Sequence, residues 1–395
     1  MKKIVVGEFN DSFPPIMDGV VNVVKNYAYW LNKKFGSSYV ITPASPGYQD
    51  QEEFPVLRYY SVPLLTRHPY RLGIAGIDRA FIKHVNQIPF DIVHAHSPFS
   101  AGSIALNIAR QRNIPIIASF HSKFYDDFKV GFKSDFIAKQ LTKRVVRFFN
   151  NVNEVWAVNE TTKETLYSYG FQGPIKVIHN GTDFTLPENP DLELQKVNSS
   201  LKLSPDELVF LFVGRHNWLK NVHIIIESLS LLKKKGLQFK MIFVGTGYAA
   251  NEMKARIKQL QLDDWVHFMG IIHDRDFLKA LFLRANLFLF PSVYDNAPIV
   301  VREAAATQCP SLLLENTNAA EGILDNYNGF LAPNDIRQYA DRILEVSSNR
   351  EKMHQVGVMA QKTIYKNWEE VVDIVYENYL NIIEQYQSKN GCQNS

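Results

Sequence analysis

At 395 residues the chain is long enough for two or three domains, each with its own core. A hydrophobic content of 46% and a charged content of 21% are ordinary for a globular protein, and a net charge of +3 excludes a strong global field drawing it to nucleic acid. Two distant cysteines, Cys309 and Cys392, exclude a disulfide framework, and no apolar run reaches the roughly 18–20 residues that span a bilayer.

Residues 3–7 read as a buried strand rather than a signal peptide, so a cytoplasmic location is expected. Residues 20–34 read as a helix with Val20, Val23, Val24, Tyr27 and Leu31 along one side. Between the two, residues 13–21 carry Gly19, which lets backbone approach a ligand closely or simply makes a turn. Further strands are predicted at 91–95, 114–120 and 154–158. Such alternation of strands and amphipathic stretches means βαβ units and a parallel sheet with helices on both faces. His94, His96 and His121 fall at or just past strand ends. No acid or cysteine stands beside His94 and His96 in the sequence, so they are expected to be structural rather than metal ligands, and His121 is the one better placed to point into a cleft. Residues 129–150 interleave Lys133, Lys139, Lys143, Arg144 and Arg147 with Phe132, Phe136, Ile137, Leu141, Val145, Phe148 and Phe149. That pattern is a helix buried on one side and solvated on the other, or one laid on an anionic membrane surface.

Composition shifts after Asp183, where Pro, Asn, Glu and Ser dominate, and residues 191–206 are expected to be a linker between domains 1–190 and 207–366. Strands then resume at 208–214, 239–245, 266–269, 287–291 and 310–314. Gly214 and Arg215 follow the first of these, with Lys220 shortly after; the two cations emerge at a strand's carboxyl end, where a diphosphate would sit, or are simply solvated. Gly245-Thr246-Gly247 through Ala250 matches the dinucleotide fingerprint, with Asp263 and Asp264 about 20 residues on. The first strand of the chain lacks that fingerprint, which keeps NAD binding as a minor alternative. Asp274 opens a helix expected at 277–285, which reads as an N-cap rather than half of an Asp-x-Asp metal clamp with Asp276. Asp295 and Glu303 stand eight residues apart at the start of the next helix, either serving the helix dipole or accepting ligand hydroxyls. Residues 367–395 close the chain as an aromatic-rich helix expected to pack back on the first domain.

Taken in this order, the pieces resemble the retaining GT-B glycosyltransferases of family 4 over nearly the whole chain. Residues 13–21 resemble that family's glycine loop, and Ser119-Phe120-His121-Ser122 its histidine segment. Residues 177–183 resemble its Asn-Gly-x-Asp signature, Gly214-Arg215 with Lys220 its diphosphate clamp, 266–274 its base-binding strand, Asp295 to Glu303 its paired-acid motif, and Asn328-Gly329 its closing turn. The resemblance implies an α/β fold of two Rossmann-like domains whose parallel sheets face each other across a central cleft. It implies that Arg215 and Lys220 neutralise the leaving diphosphate and that Glu303 binds the ribose. Asp295 and the backbone of Asn296, Ala297, Pro298 and Ile299 would hold the donor sugar, with His121 near it. Gly19, Gly245 and Met269 would line the rest of the donor. The expected substrate is a UDP- or GDP-sugar, UDP favoured, with no cofactor and no metal. The expected acceptor is a lipid or glycan, such as diacylglycerol or a polyprenyl-linked glycan, reached from the inner membrane face through 129–150. Two departures stand out: Asp295 replaces the usual Glu, and Gln308 replaces a glycine usual after the second acid's helix. They keep open a non-catalytic binding partner with the same fold.

Overall fold

A computed structural model describes residues 3–64 and 69–391. The chain divides into two units, Met1–Asn180 with Trp368–Ser395, and Gly181–Asn367. The division follows Asn180, ten residues before the expected boundary at 190, and the expected linker is not one. Helix Pro190–Leu201 occupies most of it, started by Asn189, whose side chain accepts from the Leu192 amide, and by a proline in the first turn. Proline is pre-shaped for that position. The helix buries Val197, and Arg284 donates to Asn198 at 2.6 Å to hold it to the second unit.

The first unit contains β1 (Val5–Phe9), β2 (Ser37–Pro43), β3 (Val56–Tyr59), a short antiparallel pair β4 (Ser61–Pro63) and β5 (Arg71–Gly73), then β6 (Ile92–Ala95), β7 (Ile116–Phe120), β8 (Glu154–Ala157) and β9 (Ile175–Val177). Seven of them form one sheet in the order β3-β2-β1-β6-β7-β8-β9, with every pairing parallel. β6 and β7 are buried at every position, as strands covered on both faces must be. Helix Gly19–Lys34 starts where the Asp18 carboxylate accepts from the Val21 amide at 2.9 Å, and buries Val21, Val24, Ala28 and Leu31 at helical spacing. The C-terminal helix Trp368–Gly391 belongs to this unit. Tyr376 stacks on Phe35 at 3.9 Å, Tyr379 stacks on Trp156 at 5.6 Å, and Lys34 pairs with Asp373 and Glu369. The expected single basic helix at 129–150 is two helices, Phe124–Phe132 and Asp135–Phe149. Lys133 between them takes a left-handed φ of 49°, and Ser134 caps the second helix by accepting from Ile137.

The second unit contains β10 (Val209–Val213), β11 (Lys240–Val244), β12 (Val266–Gly270), β13 (Leu287–Phe290), β14 (Ser311–Leu314) and β15 (Phe330–Ala332). Its sheet runs β12-β11-β10-β13-β14-β15 with every pairing parallel. Renumbered within the unit, this is the 3-2-1-4-5-6 order of a dinucleotide-fold sheet. The chain reverses direction across the sheet between β10 and β13 here, and between β1 and β6 in the first unit. Ligands of such sheets bind beyond the strands' carboxyl ends at that reversal. Among the described residues, no helix is long and apolar enough to cross a membrane.

Candidate functional site

The loop after β10 carries the expected cations. Arg215 is exposed one residue past Gly214, and Lys220 is half-buried at the end of a short turn, Trp218–Lys220. The Asn217 side chain accepts from the Lys220 amide at 3.0 Å, and Asn221, at a left-handed φ of 54°, donates to Asn334 at 2.9 Å. These two asparagines pin the ends of the turn and so fix where the ammonium points.

The loop after β11 packs directly on this one. His216 donates its amide to the Thr246 carbonyl at 2.9 Å, and Ala249 donates to the His216 carbonyl at 3.0 Å. A Cβ on Gly247 would lie 2.3 Å from the His216 carbonyl oxygen, and one on Gly245, whose φ is +120°, 2.1 Å from that of Gly214. The two glycines therefore serve the approach of two protein loops. The dinucleotide reading fails at its second feature as well. Asp263 and Asp264 immediately precede β12, at the opposite end of the sheet from the glycine loop. Met269 sits half-buried near the carboxyl end of β12.

Across the reversal, the loop after β13 brings Asp295 to Lys220. The ammonium donates to Oδ1 at 2.5 Å and to Oδ2 at 2.6 Å, and Ser292 donates to Oδ2 at 2.5 Å. Lys220 also lies 5.4 Å above the Phe290 ring. The paired side chains are 16% and 19% exposed. That places the pair between surface ion pairs, worth about 0–1 kcal/mol, and buried ones, whose rupture costs about 3–5 kcal/mol. A lysine has three donors, so two bonds to Asp295 leave one for an incoming anion. Helix Ile299–Ala306 then begins after Pro298, with Asn296 held by a 3.0 Å bond from Asn318. The helix starts at Ile299, so Glu303 lies inside it rather than at its start, and Asp295 lies in the loop before it.

Glu303 is buried on that helix, and burial raises its carboxyl above the usual range, opposed by Arg275. Arg275 donates to Glu303 at 2.8 Å and to Asp183 at 2.6 Å, and its guanidinium lies 4.3 Å from the centre of the Phe184 ring. Arg275 was not singled out in the sequence. Its signal was faint: a cation beside the helix cap Asp274, which accepts from the amides of Asp276 and Phe277. Asp276 pairs instead with Lys279 at 2.9 Å. Gln308 adopts a left-handed φ of 59°, which explains why glycine suits the position. Its side chain turns to Gln361 at 2.8 Å, and the close backbone approach is met by Gly357, whose Cβ would lie 1.9 Å from the Gln308 carbonyl oxygen.

In the first unit, His94 and His96 join a buried polar cluster with Glu8 of β1, which sequence reasoning missed because Glu8 is one acid in an otherwise apolar strand. Their donor atoms lie within 4.8 Å of one another, a spacing that invites a metal. Yet His96 Nε2 and Glu8 Oε2 are 2.7 Å apart, whereas two ligand atoms about 2 Å from one tetrahedral ion sit about 3.3 Å apart. The contact is a hydrogen bond. His121, half-buried just past β7, stands 3.2 Å from His96 Nδ1. Gly19 opens its helix, and a Cβ there would meet nothing within 4 Å, so the space beside it is open. On helix Asp135–Phe149, Ala138, Thr142, Val145 and Phe149 face inward, while Lys139, Lys143, Arg144 and Arg147 are exposed. At the corner between the two helices Val130 is 66%, Phe132 53% and Phe136 70% exposed.

Residues 195–363 match the family profile of glycosyl transferases group 1, and residues 17–186 that of glycosyltransferase family 4. The alpha-monoglucosyldiacylglycerol synthase of Streptococcus pneumoniae is 24% identical over 331 residues, covering 82% of this chain and 74% of that one. An Escherichia coli UDP-Gal:alpha-D-GlcNAc-diphosphoundecaprenol alpha-1,3-galactosyltransferase is 24% identical over 355 residues, covering 85% and 86%. The crystal structure of Anabaena Alr3699/HepE in complex with UDP and glucose superposes with a TM-score of 0.75 at 17% identity, covering 95% and 99%.

Proposed function

Because this chain belongs to the group 1, family 4 glycosyltransferases, we propose that it moves a hexose from a UDP-sugar to a membrane lipid or lipid-linked glycan, with retention of configuration and without a metal. The observation that carries the reading is the Lys220–Asp295–Ser292 group beyond β10 and β13, at the sheet's reversal, with buried Glu303 on the helix that follows.

Cleaving the sugar–phosphate bond builds negative charge on the diphosphate. Lys220, held by Asp295 before reaction, and Arg215 beside it in the same loop stabilise that charge most in the transition state. Asp295 is already oriented by two partners and accepts sugar hydroxyls together with the backbone of Asn296, Ala297, Pro298 and Ile299. Glu303, oriented by Arg275, takes the ribose, and Gly245 and Met269 border the donor. The leaving diphosphate helps deprotonate the acceptor, so attack comes from the face it leaves. His121 and Gly19 complete the proposed set of donor-contacting residues. The lipid part of the reading is supported by the exposed Val130, Phe132 and Phe136 flanked by cations, the arrangement of an interfacial anchor at the inner face of a membrane. It is supported too by the lipid and polyprenyl acceptors named for the two relatives.

The test is calorimetry with UDP, GDP and NAD, then donor hydrolysis by the purified chain over a panel of nucleotide sugars, with lipid, glycan and peptide acceptors offered to the best donor. UDP binding and transfer to a lipid acceptor are expected. Donor binding with neither hydrolysis nor transfer across the panel would identify a non-catalytic binder, and NAD binding without UDP or GDP binding would overturn the reading.

A further inference from the structure

Behind His121 lies one unbroken hydrogen-bonded chain. Ser119 Oγ is 2.8 Å from His94 Nε2, and His94 Nδ1 is 2.7 Å from the Tyr379 hydroxyl. That hydroxyl is 3.0 Å from Glu8 Oε1, Glu8 Oε2 is 2.7 Å from His96 Nε2, and His96 Nδ1 is 3.2 Å from His121 Nε2. Ser119, His94, Tyr379, Glu8 and His96 are all buried, so water does not relieve a misplaced proton. The five links join six groups drawn from β1, β6, β7 and the C-terminal helix.

We infer that Glu8 and His96 form a buried relay that sets which ring nitrogen of His121 carries the proton, making them positioning residues for that histidine.

Each link holds one proton, and each neutral imidazole carries one, so the arrangement can be counted. With Glu8 ionised, both arms must donate toward it. His96 donates from Nε2 to Glu8, so its Nδ1 accepts from His121 Nε2–H, and His121 Nδ1 is left as an acceptor. With Glu8 neutral, the chain must run in one direction. The carboxylic acid is the strongest acid of the six groups, and imidazole is a far better acceptor than a phenol oxygen, so Glu8 donates to His96. The shorter of Glu8's two bonds is that one. His96 then donates from Nδ1 to His121 Nε2, and His121 Nδ1 carries the proton. Loss of one buried proton therefore turns His121 Nδ1 from donor to acceptor, and its gain does the reverse.

The groups facing this chain keep its proton on Glu8 near neutrality. Burial pushes Glu8 up to about 8, with only the Tyr379 hydrogen bond pulling it down. Burial holds His96 down to about 3, and burial together with its neighbouring imidazoles holds His94 and His121 well below the usual range. Tyr27, from helix Gly19–Lys34, sits against His94 and His96 with ring centres 6.0 and 5.7 Å away, and burial and the Glu8 charge push its hydroxyl far above the usual range, so it stays neutral. Trp156 of β8 covers His94, and Asp11, beyond β1, spends its oxygens on Ser97, Ser100 and the Ala101 amide.

The consequence for catalysis rests on the sugar-transfer reading, whereas the tautomer itself does not, and the experiment separates them. Ring-nitrogen NMR of the full-length protein labelled with 15N-histidine, with His121 assigned by loss of its signal in His121→Gln, reads the tautomer directly. Between pH 6.5 and 9.5 the wild-type Nδ1 signal is expected to pass from protonated to unprotonated. Glu8→Gln, nearly isosteric and unable to titrate, abolishes the transition, and Tyr379→Phe moves its midpoint to higher pH. His121 signals that do not change with pH in the wild type, or that change identically in Glu8→Gln, overturn the relay. So does a stoichiometric divalent metal found by mass spectrometry of the purified protein. If the titration is present and depends on Glu8 while the pH profile of sugar transfer is the same in wild type and Glu8→Gln, the relay stands and the assignment of His121 to the reaction falls.

Discussion

Gly247→Ala isolates the contact on which the cation loop depends. The added Cβ would lie 2.3 Å from the His216 carbonyl oxygen and 2.8 Å from its carbon, both backbone atoms that cannot rotate away. A carbon–oxygen contact of about 3.3 Å would be comfortable, so the two loops must part by about 1 Å. That movement breaks the bonds His216–Thr246 and Ala249–His216, now 2.9 and 3.0 Å. Two net hydrogen bonds at about 1 kcal/mol each, with about 1–2 kcal/mol of overpacking strain, give a loss of roughly 3–4 kcal/mol. Lys220 is four residues further along the displaced loop, and a misplacement of about 1 Å at a reacting group costs on the order of 100-fold in rate. Urea denaturation should therefore show the stability loss, and turnover with the best nucleotide sugar should fall about 100-fold in the protein that remains folded. A variant that melts within a degree of wild type and turns over within threefold would refute the idea that Gly247 is required by the His216 loop.

Lys220→Ala should lower turnover by about 100- to 1,000-fold, because it removes a charge needed most in the transition state, and steady-state kinetics giving less than a threefold change would exclude Lys220 from the clamp. Arg275→Ala removes the guanidinium paired with buried Glu303, so its carboxyl should titrate still higher; the donor KM should then rise as pH falls, and a KM independent of pH between 5.5 and 8 would refute the role. Stability should peak near pH 6.5. Glu8, raised to about 8, contributes stability that is lost as pH rises toward and through that value, and the depressed His94, His96 and His121 contribute stability that is lost as pH falls below about 6.5, where the unfolded histidines bind protons. Urea titrations should show the wild type losing about 1–2 kcal/mol between pH 6.5 and 8 and Glu8→Gln losing much less, and equal alkaline losses would contradict the assignment. Replacing Lys139, Lys143, Arg144 and Arg147 with glutamine should reduce co-sedimentation with vesicles containing anionic lipid, each cation contributing about 1 kcal/mol near the surface, and unchanged binding would leave them as solvated surface.

Elements with one strong local signal were legible without coordinates. Apolar runs such as 208–214 and 287–291 became buried parallel strands, because a strand covered on both faces has no polar side to show. Gly214, Arg215, Lys220 and Asp295 lie in the loops after such strands, and Glu303 on the helix that follows, as expected where a parallel sheet puts its connections at strand ends. The expected linker is a helix because two local start signals, Asn189 and Pro190, outweigh its polar composition, and the expected basic helix is split by Lys133 and Ser134.

What composition and spacing could not convey were contacts between residues distant in the chain. Arg275 meets Glu303 and Asp183, Gly247 meets His216, and Tyr379 meets Glu8 across 371 residues. The sequence by itself determined two parallel α/β units and which strand ends carry cations and acids, since periodicity and turn chemistry are local. Only the tertiary structure decided which of those charges are paired, how deeply each is buried and where the protons lie, because desolvation and hydrogen bonding depend on neighbours that no local window contains.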